Sequence, residues 1–130
     1  MKYKLLIVFL FFLLSFPSSC KKESICACGV DNPQDNLEWL KTTLLYLWSA
    51  DVYKLYFIDK EYIIISDKDI VIDGIAVVYD CQGQKLCEDG GENIGGHVCD
   101  LPDPKSFWDT FADKKTLLFK LRGQKVILDR

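Results

Sequence analysis

Apolar and polar positions along the chain change rhythm three times. Leu5 to Phe16 is an almost unbroken apolar run. Leu37, Leu40, Leu44, Leu47 and Trp48 then recur at helical spacing, which predicts one amphipathic helix with a single apolar stripe. Asn32 or Asn36 can cap that helix, Pro33 suits its first turn, and Asp35 and Glu38 favour the positive end of its dipole. The stripe, Trp48 included, is expected to pack on a sheet.

Beyond Asp51 the period becomes two. DVYKLYFI places Tyr53, Leu55 and Phe57 on one face, and EYIIIS returns Tyr62 and Ile64 to that face if Asp59-Lys60 is the turn and Ile58 opposes Glu61. IVIDGIAVVYD is β-branched and interrupted by Gly74, which marks a bulge or bend. It leads through a CQGQ turn into KLCED. A short helix over about Asp103 to Phe111 follows, then two strands, TLLFKLR and KVILD, turning at Arg122-Gly123. The fold class expected is α+β: an antiparallel sheet of about five or six strands packed against one N-terminal helix.

The initial apolar run, at roughly a dozen residues, is shorter than the roughly 20 that span a bilayer. With Lys2 and Lys4 before it and PSS leading into Cys20, residues 1–19 read as a signal peptide. Ser18 and Ser19 suit lipoprotein processing, so Cys20 is the candidate lipidation site and the expected partner is a lipid membrane. Residues 20–31 read as a tether and residues 32–130 as a single domain. Removing residues 1–19 takes away two lysines and no acid, which moves the net charge from −3 to −5. An acidic chain lacks the basic face that phosphate backbones require, so no nucleic-acid partner is expected.

If Cys20 carries lipid, five of the six cysteines remain, and an exported chain oxidises such thiols. With a turn at Gln82-Gly83, Val78 opposes Cys87 while Cys81 faces the other side, so Cys81 and Cys87 are not expected to bond. Cys87 can reach Cys99 across the glycine-rich loop between them, and Cys81 can take Cys28 or Cys26. The spacings CAC and C-x5-C are neither the C-x-x-C of a redox dithiol nor a zinc pattern.

Candidate chemistry is sparse. Glu88, Asp89 and Glu92 stand among glycines but lack the alternating ligands of a calcium loop, and no phosphate-loop motif is present. No cofactor is expected, and calcium is the one worth testing. His97 is the only histidine and lies two residues from Cys99, so Cys-His catalysis would need Cys99 free. Trp39, off the helix stripe, and Tyr56, opposite Leu55 and Phe57, are the aromatics expected to be exposed. Beside acids such as Glu88, Asp89 and Glu92 they make candidate binding residues for glycan or protein.

CGVDNPQDNLEWLK from Cys28 to Lys41, VYDCQGQKLCEDGG and the downstream GGHVCD together resemble an uncharacterised family of small Bacteroidetes-type lipoproteins, which share a CGVxNPxxxLxWL opening and a YDCxGxxxCxxGG hairpin. The resemblance runs to about Leu101. It implies Cys28, Cys81, Cys87 and Cys99 as the disulfide framework with Cys26 as the odd thiol, and an outer-membrane location. The function expected is a non-enzymatic, lipid-anchored envelope module that binds protein or glycan. The alternatives are an inhibitor or immunity-like protein and a thiol enzyme using Cys99 or Cys26 with His97.

Overall fold

The computed structural model describes residues 20, 25–67, 75–89 and 99–128. Residues 1–19, expected as a signal peptide, and Gly74, Glu92 and His97 lie outside these. Among the described residues eight strands and three helices follow in the order β1 (Cys26–Ala27), β2 (Val30–Asp31), α1 (Pro33–Asn36), α2 (Glu38–Leu44), β3 (Ser49–Phe57), β4 (Lys60–Asp67), β5 (Ile75–Tyr79), β6 (Lys85–Asp89), α3 (Pro104–Lys114), β7 (Thr116–Arg122) and β8 (Lys125–Ile127). Six strands form one antiparallel sheet in the order β6-β5-β4-β3-β7-β8, and β1 and β2 form a separate small hairpin. The fold is α+β, as the periodicity predicts.

The sheet is covered on both faces. Leu55, Phe57, Tyr62, Ile64, Val78 and Cys87 form one buried face with Leu101 and Phe107, so α3 is its lid. Phe107 meets Phe57 and Tyr62 edge to face, at 5.3 and 5.4 Å between ring centres, a geometry that adds to area burial. Ala50, Val52, Ile63, Ile65, Phe119 and Leu121 form the other face, under Ala27, Leu40 and Leu44. The expected single N-terminal helix is instead two short ones. Leu37, extended at φ −97° and ψ 104°, separates α1 from α2, and α2 ends at Leu44.

Residues 25–31 of the segment expected as a tether are part of the domain. Ala27 is fully buried, Asn32 N–H donates to Ile25 C=O at 2.7 Å, and Lys54 Nζ donates to Cys26 C=O at 2.7 Å. Cys28 N–H reaches Glu61 Oε1 at 2.5 Å. A covalent Cys28–Cys81 bridge fixes this layer to the β5–β6 turn.

Three tight turns share one geometry. Cys28-Gly29, Ile58-Asp59 and Gly123-Gln124 each place two consecutive residues at positive φ, the hairpin turn whose twist matches its flanking strands. This preference moves two expected turns by one residue: Phe57 opposes Lys60, Tyr56 opposes Glu61, and Arg122 opposes Lys125. The one-residue shift of the β3–β4 turn changes the pairing sum by two, so side-chain facing survives. Val78 opposes Cys87 as expected, but a bulge at Leu86 then pairs Tyr79 with Lys85.

Trp39 sits on the β5–β6 turn. Its Nε1–H donates to Cys81 C=O at 3.1 Å, its ring lies 5.3 Å from that of Tyr79, and a Cβ on Gly83 would fall 2.5 Å from its Cγ. Gly83 also has φ +83°, so it is required twice over.

The left-handed positions should respond to substitution in opposite directions. Ile58 is exposed and β-branched at φ 44°, a conformation costing an L-residue about 1–2 kcal/mol. Ile58→Asn should raise stability by about 1 kcal/mol, seen as a melting temperature higher by about 4–8 °C. Gly83→Ala combines the same strain with overpacking and should cost about 3 kcal/mol. Thermal melts of the two variants beside the parent check both signs.

Candidate functional site

The structure scatters the aromatic and acidic candidates. Trp39 is half-buried and holds the β5–β6 turn, which corrects its expected exposure. It lies off the sheet-facing stripe because it faces a turn, not because it faces solvent. Tyr56 is exposed as expected, on β3 opposite Glu61, next to the β3–β4 turn. Glu88 and Asp89 lie on β6, three strands from β3. Glu92 lies outside the described residues.

Trp48 reverses its expectation as well. With α2 ending at Leu44, the chain turns through Leu45 and Tyr46, and Trp48 emerges exposed while Leu47 keeps partial burial. No periodicity argument separates Leu47 from Trp48, because the helix on which that argument rests has already stopped.

Glu88 and Asp89 do border a cleft. Its volume is about 220 Å³, and its walls are Cys87, Glu88, Asp89, Cys99, Pro104, Lys105 and Trp108. One wall is the Cys87–Cys99 bridge, formed as the loop length suggests and reinforced by Asp100 N–H donating to Leu86 C=O at 2.7 Å. The other is the start of α3, where Asp103 accepts from Ser106 N–H at 3.1 Å. Hydrogen bonding to Ser106, by its side chain first and its N–H second, holds the Asp103 carboxyl below the ordinary aspartate value, so the cap is charged at neutral pH. Trp108 is half-buried and braced edge to face by Phe107 and Phe111, at 5.4 and 5.6 Å. Glu88 pairs with Lys85, while Asp89 and Lys105 are exposed.

Trp108 and Lys105 were not singled out by sequence. They come from a helix that follows a loop of several glycines, and only the chain crossing from β6 over the sheet to β7 brings them beside Glu88 and Asp89. The signal available was the DPKSFW helix start, which indicates the helix but not its neighbour.

Cys28–Cys81 and Cys87–Cys99 are bridged, Cys20 is joined to Cys26, and no cysteine is free. Cys26, expected to stand alone, therefore has a partner six residues away. Sequence reasoning reserved Cys20 for lipid and so left Cys26 unpaired. A thioether on Cys20 and the Cys20–Cys26 bond compete for one sulfur atom, so acylation leaves Cys26 as a thiol. The two sulfurs and an Asp31 carboxylate oxygen cluster within 4.8 Å, but joined sulfurs are not thiolate ligands.

No family model, no curated protein and no solved structure matches the chain.

Proposed function

We propose that this protein is a non-enzymatic binding module of the cell envelope, anchored to the outer membrane through acylated Cys20, and that its ligand is a glycan. The Cys28–Cys81 and Cys87–Cys99 bridges, which leave Cys20 available for acylation, support an oxidising, extracytoplasmic setting. The apolar run, Ser18, Ser19 and Cys20 support the lipid anchor.

The observation that carries the ligand class is the cleft beside Trp108. A braced, half-buried indole lines the cleft and supplies apolar surface for the C–H side of a sugar ring. Asp89 and the free oxygen of Glu88 accept hydroxyl hydrogen bonds, and Lys105 donates. About 220 Å³ lies below the roughly 300–1,000 Å³ of sites that enclose drug-sized ligands. It suits one or two sugar rings of a longer chain. Because Glu88 and Asp89 occupy a strand and Trp108 a packed helix, the groups are pre-positioned, which lowers the ordering cost of binding.

Two measurements test the reading. Tryptophan emission should shift on titration with at least one of four tetrasaccharides, built from glucose, N-acetylglucosamine, mannose or galacturonic acid. A Glu88→Gln, Asp89→Asn double variant should weaken that binding about tenfold or more while melting like the parent. No shift with any of the four at millimolar concentration would remove the glycan assignment. Separately, protein extracted from membranes and alkylated without reduction should carry two or three acyl chains and one alkyl group, on Cys26. An unacylated mass with no alkyl group would contradict the anchor.

A further inference from the structure

Large exposed apolar side chains are not spread evenly. Among the described residues five of seven fall in two short stretches: Leu45, Tyr46 and Trp48 in the loop after α2, and Val126 and Ile127 on β8. The first stretch meets the β7–β8 turn, which leads into the second. Trp48 C=O accepts from Gln124 N–H at 3.2 Å, and the Trp48 ring lies 3.7 Å from where a Gly123 Cβ would stand. Tyr46 is 85 % exposed and Trp48 63 %, so this corner presents aromatic surface beside the β7–β8 turn.

Among the described residues nothing pairs with the outer side of β8, which is an open sheet edge. The opposite edge, β6, is occupied by the bridge pairing of Cys99 with Cys87 and by the Asp100 hydrogen bond to Leu86. On β8 the two-residue turn makes Arg122 and Lys125 a hydrogen-bonded pair, so the next pair, Leu121 and Val126, is non-hydrogen-bonded. The N–H and C=O of Val126 therefore point away from β7, toward the open side. No proline or bulge blunts this edge, and all three residues of β8 are exposed. Natural edges are usually protected against such exposure.

Charge selects what the edge admits. Residues 116–127 carry Lys120, Arg122 and Lys125 and no acid, in a chain whose net charge is −3. Arg122 is already held by Asp51 at 2.6 Å, whereas Lys125 is exposed on the edge itself. A second copy would bring a second basic hairpin against the first. An acidic strand meets no such repulsion.

We propose that the β8 edge is a docking site for an extended acidic segment of a partner protein, which pairs with Val126 as an added strand and lays its apolar side chains on Tyr46 and Trp48. The mode is strand addition, with main-chain bonds supplying affinity and alternate side chains supplying specificity. It is a site separate from the cleft and independent of the glycan assignment.

The test uses a fluorescein-labelled octapeptide in which valine alternates with glutamate, and a counterpart with lysine in place of glutamate. By fluorescence anisotropy the purified protein should bind the acidic peptide at least tenfold more tightly than the basic one. Val126→Pro removes the outward N–H without touching the bonds to β7 and should abolish binding. Lys125→Glu should reverse the preference between the peptides, and Tyr46→Ala should weaken the acidic one severalfold. Circular dichroism melts confirm that the variants fold. Equal affinity for both peptides, or undiminished binding by a folded Val126→Pro variant, would overturn the proposal. So would concentration-dependent dimerisation, read by sedimentation, that Val126→Pro abolishes, because the occupant would then be a second copy.

Discussion

The Cys28–Cys81 bridge is the constraint on which the N-terminal layer depends. It closes a span of 53 residues, and a loop of that length removes about 4 kcal/mol of chain entropy from the unfolded state in the entropic model. The helices it holds could not hold themselves. α1 and α2 have four and seven residues, well below the roughly 12–15 at which isolated helices become marginal in water. Neither has a side-chain cap. Their stability must come from Leu40 and Leu44 against the sheet, and that contact is made only if the layer is brought down onto it. Trp39 over Gly83, with its hydrogen bond to Cys81 C=O, completes the clasp at the same turn.

The second layer is secured differently. α3 has eleven residues, an aspartate cap and a fully buried Phe107 that meets aromatic rings on β3 and β4. The Cys87–Cys99 bridge fixes where the chain leaves the sheet before it crosses to β7. That crossing places Trp108 beside Glu88 and Asp89, so the proposed ligand cleft is a product of topology and could not be seen by reading β6 or α3 alone. The open β8 edge is a product of the same crossing. β7 pairs with β3 on the side away from β4, which leaves β8 outermost.

Which parts were legible in the sequence follows from which interactions are local. Side-chain facing along β3 and β4 was legible because a two-residue period is a local property, and the shift of their turn preserved parity. The separation of Cys81 from Cys87, and the pairing of Cys87 with Val78 opposite, were legible for the same reason. Trp39 and Trp48 were not. Their roles depend on where a short helix stops and on a turn some forty residues downstream, and helical periodicity carries neither fact. The place of residues 25–31 in the fold was hidden because a polar, cysteine-bearing stretch after a long apolar run has the composition of a tether. Only its partners, Lys54, Glu61 and Cys81, distinguish it as a layer of the fold.

Amide hydrogen exchange on a Cys28→Ser, Cys81→Ser double variant, read segment by segment against the parent, tests this account most directly. The account predicts that residues 33–44 lose most of their protection while β3, β4 and α3 keep theirs, because the bridge holds one layer onto a sheet that is otherwise self-sufficient. Unchanged protection over residues 33–44 would show that side-chain packing alone retains the layer and would contradict the central claim. Equal loss of protection across every strand would contradict it too, by showing that the two layers do not open separately.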